Sequence, residues 1–183
     1  MSVTVSDLLK LPSLRQARVI GGAGGLKKVV SSISVLESTD PGVLINEVFH
    51  HNKYSGSEIV ITGFLNCVND VDLQCSNLLK LIDGGEVGLV LYYVGVYLPC
   101  VDQRLIEIAD EHDFVLICMP EGQRHLRYSD LITDVTECIY KDRLVPAPLY
   151  RIFLRGSPRR RTTSRRWEPR CKCCARSWDA PRY

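Results

Sequence analysis

The sequence predicts an α/β fold: a mostly parallel sheet flanked by helices, followed by a disordered basic C-terminal tail. Three observations carry this. Short apolar runs of strand length alternate with segments whose apolar residues recur at helical spacing. The helical segments between strands are about 10 to 15 residues long, which suits crossover connections between parallel strands. The charges also segregate: residues 1–143 hold 12 Lys and Arg against 19 Asp and Glu, and residues 144–183 hold 11 against 2. The modest total of +2 therefore conceals an acidic domain and a basic tail.

Residues 3–11 read as a short helix, and 17–25 as a strand leading into a glycine-rich turn. Ser32-Ile33-Ser34-Val35-Leu36 alternates and ends at Glu37, and Glu58-Ile59-Val60-Ile61 is a β-branched run closed by Thr62-Gly63. Both are predicted strands. After Asn69-Asp70, which can cap a helix, Val71, Cys75, Leu78, Leu79 and Ile82 form one apolar stripe that stops at Gly84-Gly85. Residues 87–92 read as a strand apolar on both faces, as in a sheet covered by helices. Pro99 can open the next helix, with Val101, Leu105, Ile108 and Ala109 as its stripe and Glu111-His112-Asp113 as its break. Residues 114–118 are again a continuous apolar strand, ended by Met119-Pro120-Glu121-Gly122. The last helix is expected from an N-cap at Ser129 through Leu131, Ile132, Val135 and Ile139 to Lys141.

The tail follows different rules. Ten of its 40 residues are arginine and five are proline, and it holds both tryptophans and three of the eight cysteines. Apart from 144–154 it has no apolar periodicity, so it cannot bury enough surface to offset the entropy of ordering. This composition is also what a GC-rich coding strand gives when read in another frame, so a frameshift or truncation is an expectation for 144–183. Cys171-Lys172-Cys173-Cys174 lacks the second ligand pair of a closed zinc site.

Several function classes are excluded or weakened. No run approaches the roughly 18 apolar residues of a membrane span, and no basic patch precedes an apolar stretch at the N-terminus, so a cytoplasmic address is expected. Gly21-Gly22-Ala23-Gly24-Gly25-Leu26-Lys27-Lys28 invites a phosphate-loop reading, but Leu26 precedes Lys27 and no Gly-Lys-Ser/Thr follows; a mobile turn is expected instead. Cys67, Cys75, Cys100, Cys118 and Cys138 lie mostly in apolar segments and read as buried free thiols. His50, His51, His112 and His125 fit no catalytic or metal pattern. No catalytic residue, metal or cofactor is expected. What parallel strands do predict is a crevice beyond their carboxyl ends. The residues assigned there for ligand binding are Glu37, Thr62, Tyr93 and Glu121, suited to a small polar ligand.

Thr4-Val5-Ser6-Asp7-Leu8-Leu9 followed by Leu11-Pro12, then Gly24-Gly25-Leu26 and Val29 with Ile33-Ser34-Val35-Leu36-Glu37, resemble the opening of the N-terminal domain of PucR-type purine catabolism regulators. Glu58-Ile59-Val60-Ile61-Thr62-Gly63 resembles the family's G-E-L-L-L-T-T-G segment, with Thr62 where the family often has two threonines and Ser57 where glycine is usual. Residues 78–91, Tyr97-Leu98-Pro99 and Ile108-Ala109-Asp110 continue the match, which covers nearly all of 1–143. The resemblance implies a non-enzymatic sensor or signal-transmitting domain of a transcription regulator, in a chain expected to lack the family's C-terminal helix-turn-helix. It also implies a purine-related ligand. The other expected partners are a second copy of the chain, and DNA only non-specifically through the tail. Two alternatives stay open: a nucleic-acid binder using the Arg-rich tail, and, least favoured, a nucleotide-using enzyme built on residues 21–28.

Overall fold

A computed structural model of the chain describes residues 2–37 and 56–144. Among these, five strands form one sheet in the order β1-β5-β4-β3-β2. They are β1 (Arg18–Gly21), β2 (Ser32–Val35), β3 (Glu58–Thr62), β4 (Gly88–Leu91) and β5 (Val115–Cys118). β2, β3, β4 and β5 are parallel neighbours, and β1 lies antiparallel against β5. The helices are α1 (Val5–Leu8), α2 (Val71–Asp83), α3 (Gln103–Glu111) and α4 (Tyr128–Leu144). The predicted α/β class with a mostly parallel sheet is what the chain adopts. The tail, with its arginines, tryptophans and Cys171, Cys173 and Cys174, lies outside the described residues, as do His50 and His51.

Side chains alternate across the sheet, and each face has its own helices. Ile59, Ile61, Val90, Val115 and Ile117 pack in one cluster with Leu8 of α1 and with Leu131, Val135 and Ile139 of α4. Val60, Leu89, Leu91 and Leu116 pack in the other with Leu78 and Leu81 of α2 and with Leu105 and Ala109 of α3. Each of these valine, leucine and isoleucine side chains contributes roughly 1.5–3 kcal/mol by leaving water. Both crossovers, β3-α2-β4 and β4-α3-β5, thus cover one face. Beyond β5 the chain passes to the opposite face to form α4, and a crevice opens where helices leave in different directions.

Several boundaries differ from the sequence reading for local reasons. α1 is shorter than 3–11, because Pro12 forces Leu11 into extended backbone (ψ 148°) and a 3-10 turn at Pro12–Leu14 follows. At its start Thr4 and Asp7 form a capping box. α3 starts at Gln103 rather than Pro99, since the Asp102 carboxylate caps it by accepting from the Arg104 N–H. α4 begins at Tyr128, so Ser129 is inside the first turn rather than its cap, and its carbonyl accepts from the Thr133 hydroxyl. α2 does start from the Asp70 cap and end at Gly84, with Gly85 at φ +87°. Its buried stripe is Gln74, Asn77, Leu78 and Leu81, while Leu79 is exposed. Gln74 is inside because its amide donates to the Cys67 carbonyl at 2.7 Å and holds the β3–α2 loop.

The glycine-rich segment is a packed 3-10 turn, Ala23–Lys27, not the mobile turn expected. A Cβ on Gly22 would stand 1.8 Å from the Phe114 carbonyl oxygen, and Gly22 itself sits at φ +67°. Its N–H donates to the Asp110 carboxylate at 2.6 Å. The glycines serve close approach to the start of β5. Of the described cysteines, Cys67 and Cys118 are buried, Cys75 and Cys138 half-buried, and Cys100 exposed, which corrects the expectation for Cys100. No helix among the described residues is long and apolar enough to cross a membrane.

Candidate ligand-binding site at the carboxyl edge of the sheet

Glu37 stands just beyond β2, and its carboxylate is occupied by the chain itself. One oxygen accepts from the Gly63 N–H at 2.7 Å and from the Tyr128 hydroxyl at 2.5 Å. The other accepts from the Leu65 N–H at 3.1 Å and, more distantly, from the Thr62 hydroxyl at 3.5 Å. Thr62 in turn accepts from the Phe64 N–H at 2.9 Å, where Phe64 adopts φ +51°. Glu37 and Thr62 therefore fasten the turn after β3. The cavity beside them, lined by Leu36, Phe64, Asn66 and the buried Asn77 among others, encloses about 10 Å³, the size of one water molecule.

Tyrosines fill the middle of the edge. Tyr92 and Tyr128 meet edge to face with ring centres 4.7 Å apart, and Tyr93 lies 5.6 Å from both Tyr128 and Tyr97. Tyr93 reaches this position from left-handed backbone (φ +60°), and its hydroxyl donates to the Leu126 carbonyl at 2.9 Å. Burial first, and then the bond to Glu37, raise the Tyr128 phenol well above its ordinary range, so it remains a donor at any physiological pH.

Open space lies at the carboxyl end of β5. A groove there has two lobes sharing Gln16, Met119 and Pro120. The larger encloses about 420 Å³ and is also lined by Arg18, Ile20, Cys118 and Glu121. The smaller encloses about 210 Å³ and is also lined by Ser13, Arg15, Tyr92 and Leu126, with Arg127 and Asp130 paired at 3.0 Å. These volumes suit a small molecule. Arg15 and Arg18 make no ion pair among the described residues. The Ser13 hydroxyl is buried and has no partner among them, although its N–H donates to the Asp134 carboxylate at 3.0 Å.

The four residues assigned from sequence thus fall into two places. Glu37 and Thr62 are bonded together, and Tyr93 stands beside them through Tyr128. Glu121 borders the groove, where Tyr92 rather than Tyr93 is the lining tyrosine. The turn carrying Glu121 is tied to the loop after β4 by the Gly122 N–H, which donates to the Val94 carbonyl at 2.8 Å. Sequence reasoning missed Ser13, Arg15, Gln16, Arg18, Arg127 and Tyr128. Arg15 and Arg18 reach the site because β1 runs antiparallel, pairing Arg18 with Cys118 at the carboxyl end of β5.

The fold and this edge are those of an α/β domain with a ligand-sized groove at the carboxyl end of its sheet. The chain belongs to the purine catabolism regulatory protein-like family, whose profile matches residues 7–139. It is similar to the purine catabolism regulatory protein of Bacillus subtilis (strain 168), 26% identical over 131 residues, which is 71% of this chain and 22% of that protein. The chain therefore spans about a fifth of the length of this relative. Its family is a regulatory one.

Proposed function

We propose that the domain is the ligand-sensing part of a PucR-type transcription regulator and takes a small purine-related molecule at the carboxyl edge of the sheet. The observation that supports this is the groove at the end of β5, an open space of ligand size bordered by Glu121 and floored by Met119, Pro120 and Tyr92. A tyrosine edge and an apolar floor suit a planar ring, and a carboxylate accepts a ring N–H. Glu37, Thr62 and Tyr93 act as the frame of the site, joined to the groove through Tyr128 at the start of α4. A ligand touching Leu126 or Arg127 would press on that start, and α4 runs from there to Leu144, packed on the sheet through Leu131, Val135 and Ile139. That gives the bound state a route out of the site.

The test is a thermal-shift screen of purine-pathway compounds against the full chain. A ligand at 100 times its Kd is expected to stabilise the domain by roughly 2.7 kcal/mol. Gln16→Trp, at an exposed position common to both lobes, should fill the groove and erase the shift. A shift that survives Gln16→Trp but is lost in Thr62→Ala would place the ligand at Glu37 and Thr62 instead. No shift with any compound would leave a protein contact as the better reading.

A further inference from the structure

We propose that the groove selects an anionic ligand, a planar purine-sized molecule bearing a carboxylate, over its neutral counterpart; this rests on the sensing reading above. The groove carries cations that its own acids do not match. Arg15 lines the smaller lobe and Arg18 the larger, and Gln16 between them lines both. Neither arginine has a carboxylate partner among the described residues, whereas Arg127 in the same groove is already paired with Asp130.

The acceptors on the other wall are fewer. Asp130 is engaged with Arg127, which leaves Glu121, in the larger lobe with Arg18, as the acid of the groove without an ion pair among the described residues. A neutral ring entering the groove would strip water from those cations and return no charge to them. A carboxylate would return it, because the planar guanidinium fork matches a carboxylate with two parallel hydrogen bonds. Glu121 then accepts from a ring N–H, so the ligand's polarity is set as well: anion toward Arg15 and Arg18, ring N–H toward Glu121. Met119 and Pro120, common to both lobes, supply the apolar surface for the ring.

The experiment uses purine-6-carboxylate and purine-6-carboxamide, which share a shape and differ in charge, with hypoxanthine as a neutral reference. Each is titrated calorimetrically into the full chain at pH 7.5. The carboxylate is expected to bind at least about tenfold more tightly than the carboxamide, and raised salt should narrow that ratio. Arg15→Gln and Arg18→Gln should each bring the ratio toward one by weakening the carboxylate alone, with the unliganded unfolding midpoint unchanged. Carboxamide or hypoxanthine binding as tightly as the carboxylate, or a ratio that survives both arginine variants, overturns the anion preference and leaves the sensing reading in place. If none of the three binds and no other purine compound shifts the midpoint, both readings fall together.

Discussion

The two halves of one sheet edge have the same raw material and opposite outcomes. Beyond β2 and β3, donors from Gly63, Leu65, Thr62 and Tyr128 converge on a single carboxylate, and the remaining space is about 10 Å³. Beyond β5 and beside β1, two arginines without an acid partner among the described residues line open groove. The first half is closed on itself. What separates them is the balance of donors against acceptors, since a cluster whose acceptors are all used internally serves the fold, and one with donors left over can serve a ligand. Polar residues at strand ends are thus not a site until that balance is known.

The strongest way to break this comparison is Glu37→Ala. It leaves the Tyr128 hydroxyl and the Gly63 and Leu65 N–H groups without their acceptor at a half-buried position, and each such loss costs about 1 kcal/mol or more. A destabilisation of about 2–3 kcal/mol is expected in denaturant unfolding, with the slope unchanged. A loss below about 0.5 kcal/mol would mean that water replaces Glu37 without cost, and the closed half would then be as available to a ligand as the groove.

This difference between the halves was only partly legible in the sequence. The strands, their succession along the chain and the α2 cap followed from apolar runs and from Asp70, because those signals are local. The convergence of Glu37 and Thr62 followed from strands ending at one edge. The role of Glu37 did not, since three of its four donors come from the β3 turn and the fourth from Tyr128, 91 positions away. Nor did the groove. Arg15 and Arg18 reach it only because β1 pairs antiparallel with β5, and four residues of strand carry no mark of direction. Gln74 and Asn77 show the same limit, since helical spacing alone assigned the stripe of α2 to Leu79, which is exposed.

A second carboxylate sharpens the contrast from the other end of the sheet. Glu86 is buried at the amino edge, where it accepts from the Glu58 N–H at 2.9 Å and has the Glu58 carboxylate beside it; Ser32 donates to Glu58 in turn. Burial, and then repulsion from Glu58, push its carboxyl up from 4.5 to about 8. The folded chain then holds a proton that the unfolded chain releases near pH 4.5, so Glu86 lowers stability progressively as pH rises from about 4.5 to about 8. Glu86→Gln should remove that slope. At pH 8 and above the variant is expected to be more stable than the parent by about 1–2 kcal/mol, with the two converging below pH 5, as read from unfolding midpoints across pH. A gain that does not depend on pH would show that Glu86 is not the titrating group.

Tyr128→Phe isolates one bond of the closed half. The ring and its contacts with Tyr92 and Tyr93 are kept, and only the hydroxyl donated to Glu37 is lost. About 1 kcal/mol is expected, the net value of a typical single hydrogen bond, since the site is only half-buried and water can take over part of the bond. In a domain of this size that lowers the midpoint by about 2–4 °C. The Glu37 carboxylate keeps its backbone donors, so the loss should be well below that of Glu37→Ala; equal losses would mean that the tyrosine bond alone carries the frame.

The smallest effect is expected in the open half, and it decides whether the comparison holds. Arg15→Gln and Arg18→Gln remove exposed cations that have no acid partner among the described residues, so no bond breaks and no buried group loses its match. Changes at such positions lie near the noise of surface substitutions, and midpoints within about 2 °C of the parent are expected for each variant without ligand. Removing one of two cations that share a groove also relieves some repulsion, which works against any loss. The double variant should therefore remain as stable as either single one. A fall comparable to that of Glu37→Ala would show that these guanidiniums hold the groove wall as Glu37 holds the β3 turn. The two halves would then be alike, and the surplus of donors at β5 would belong to folding rather than to recognition.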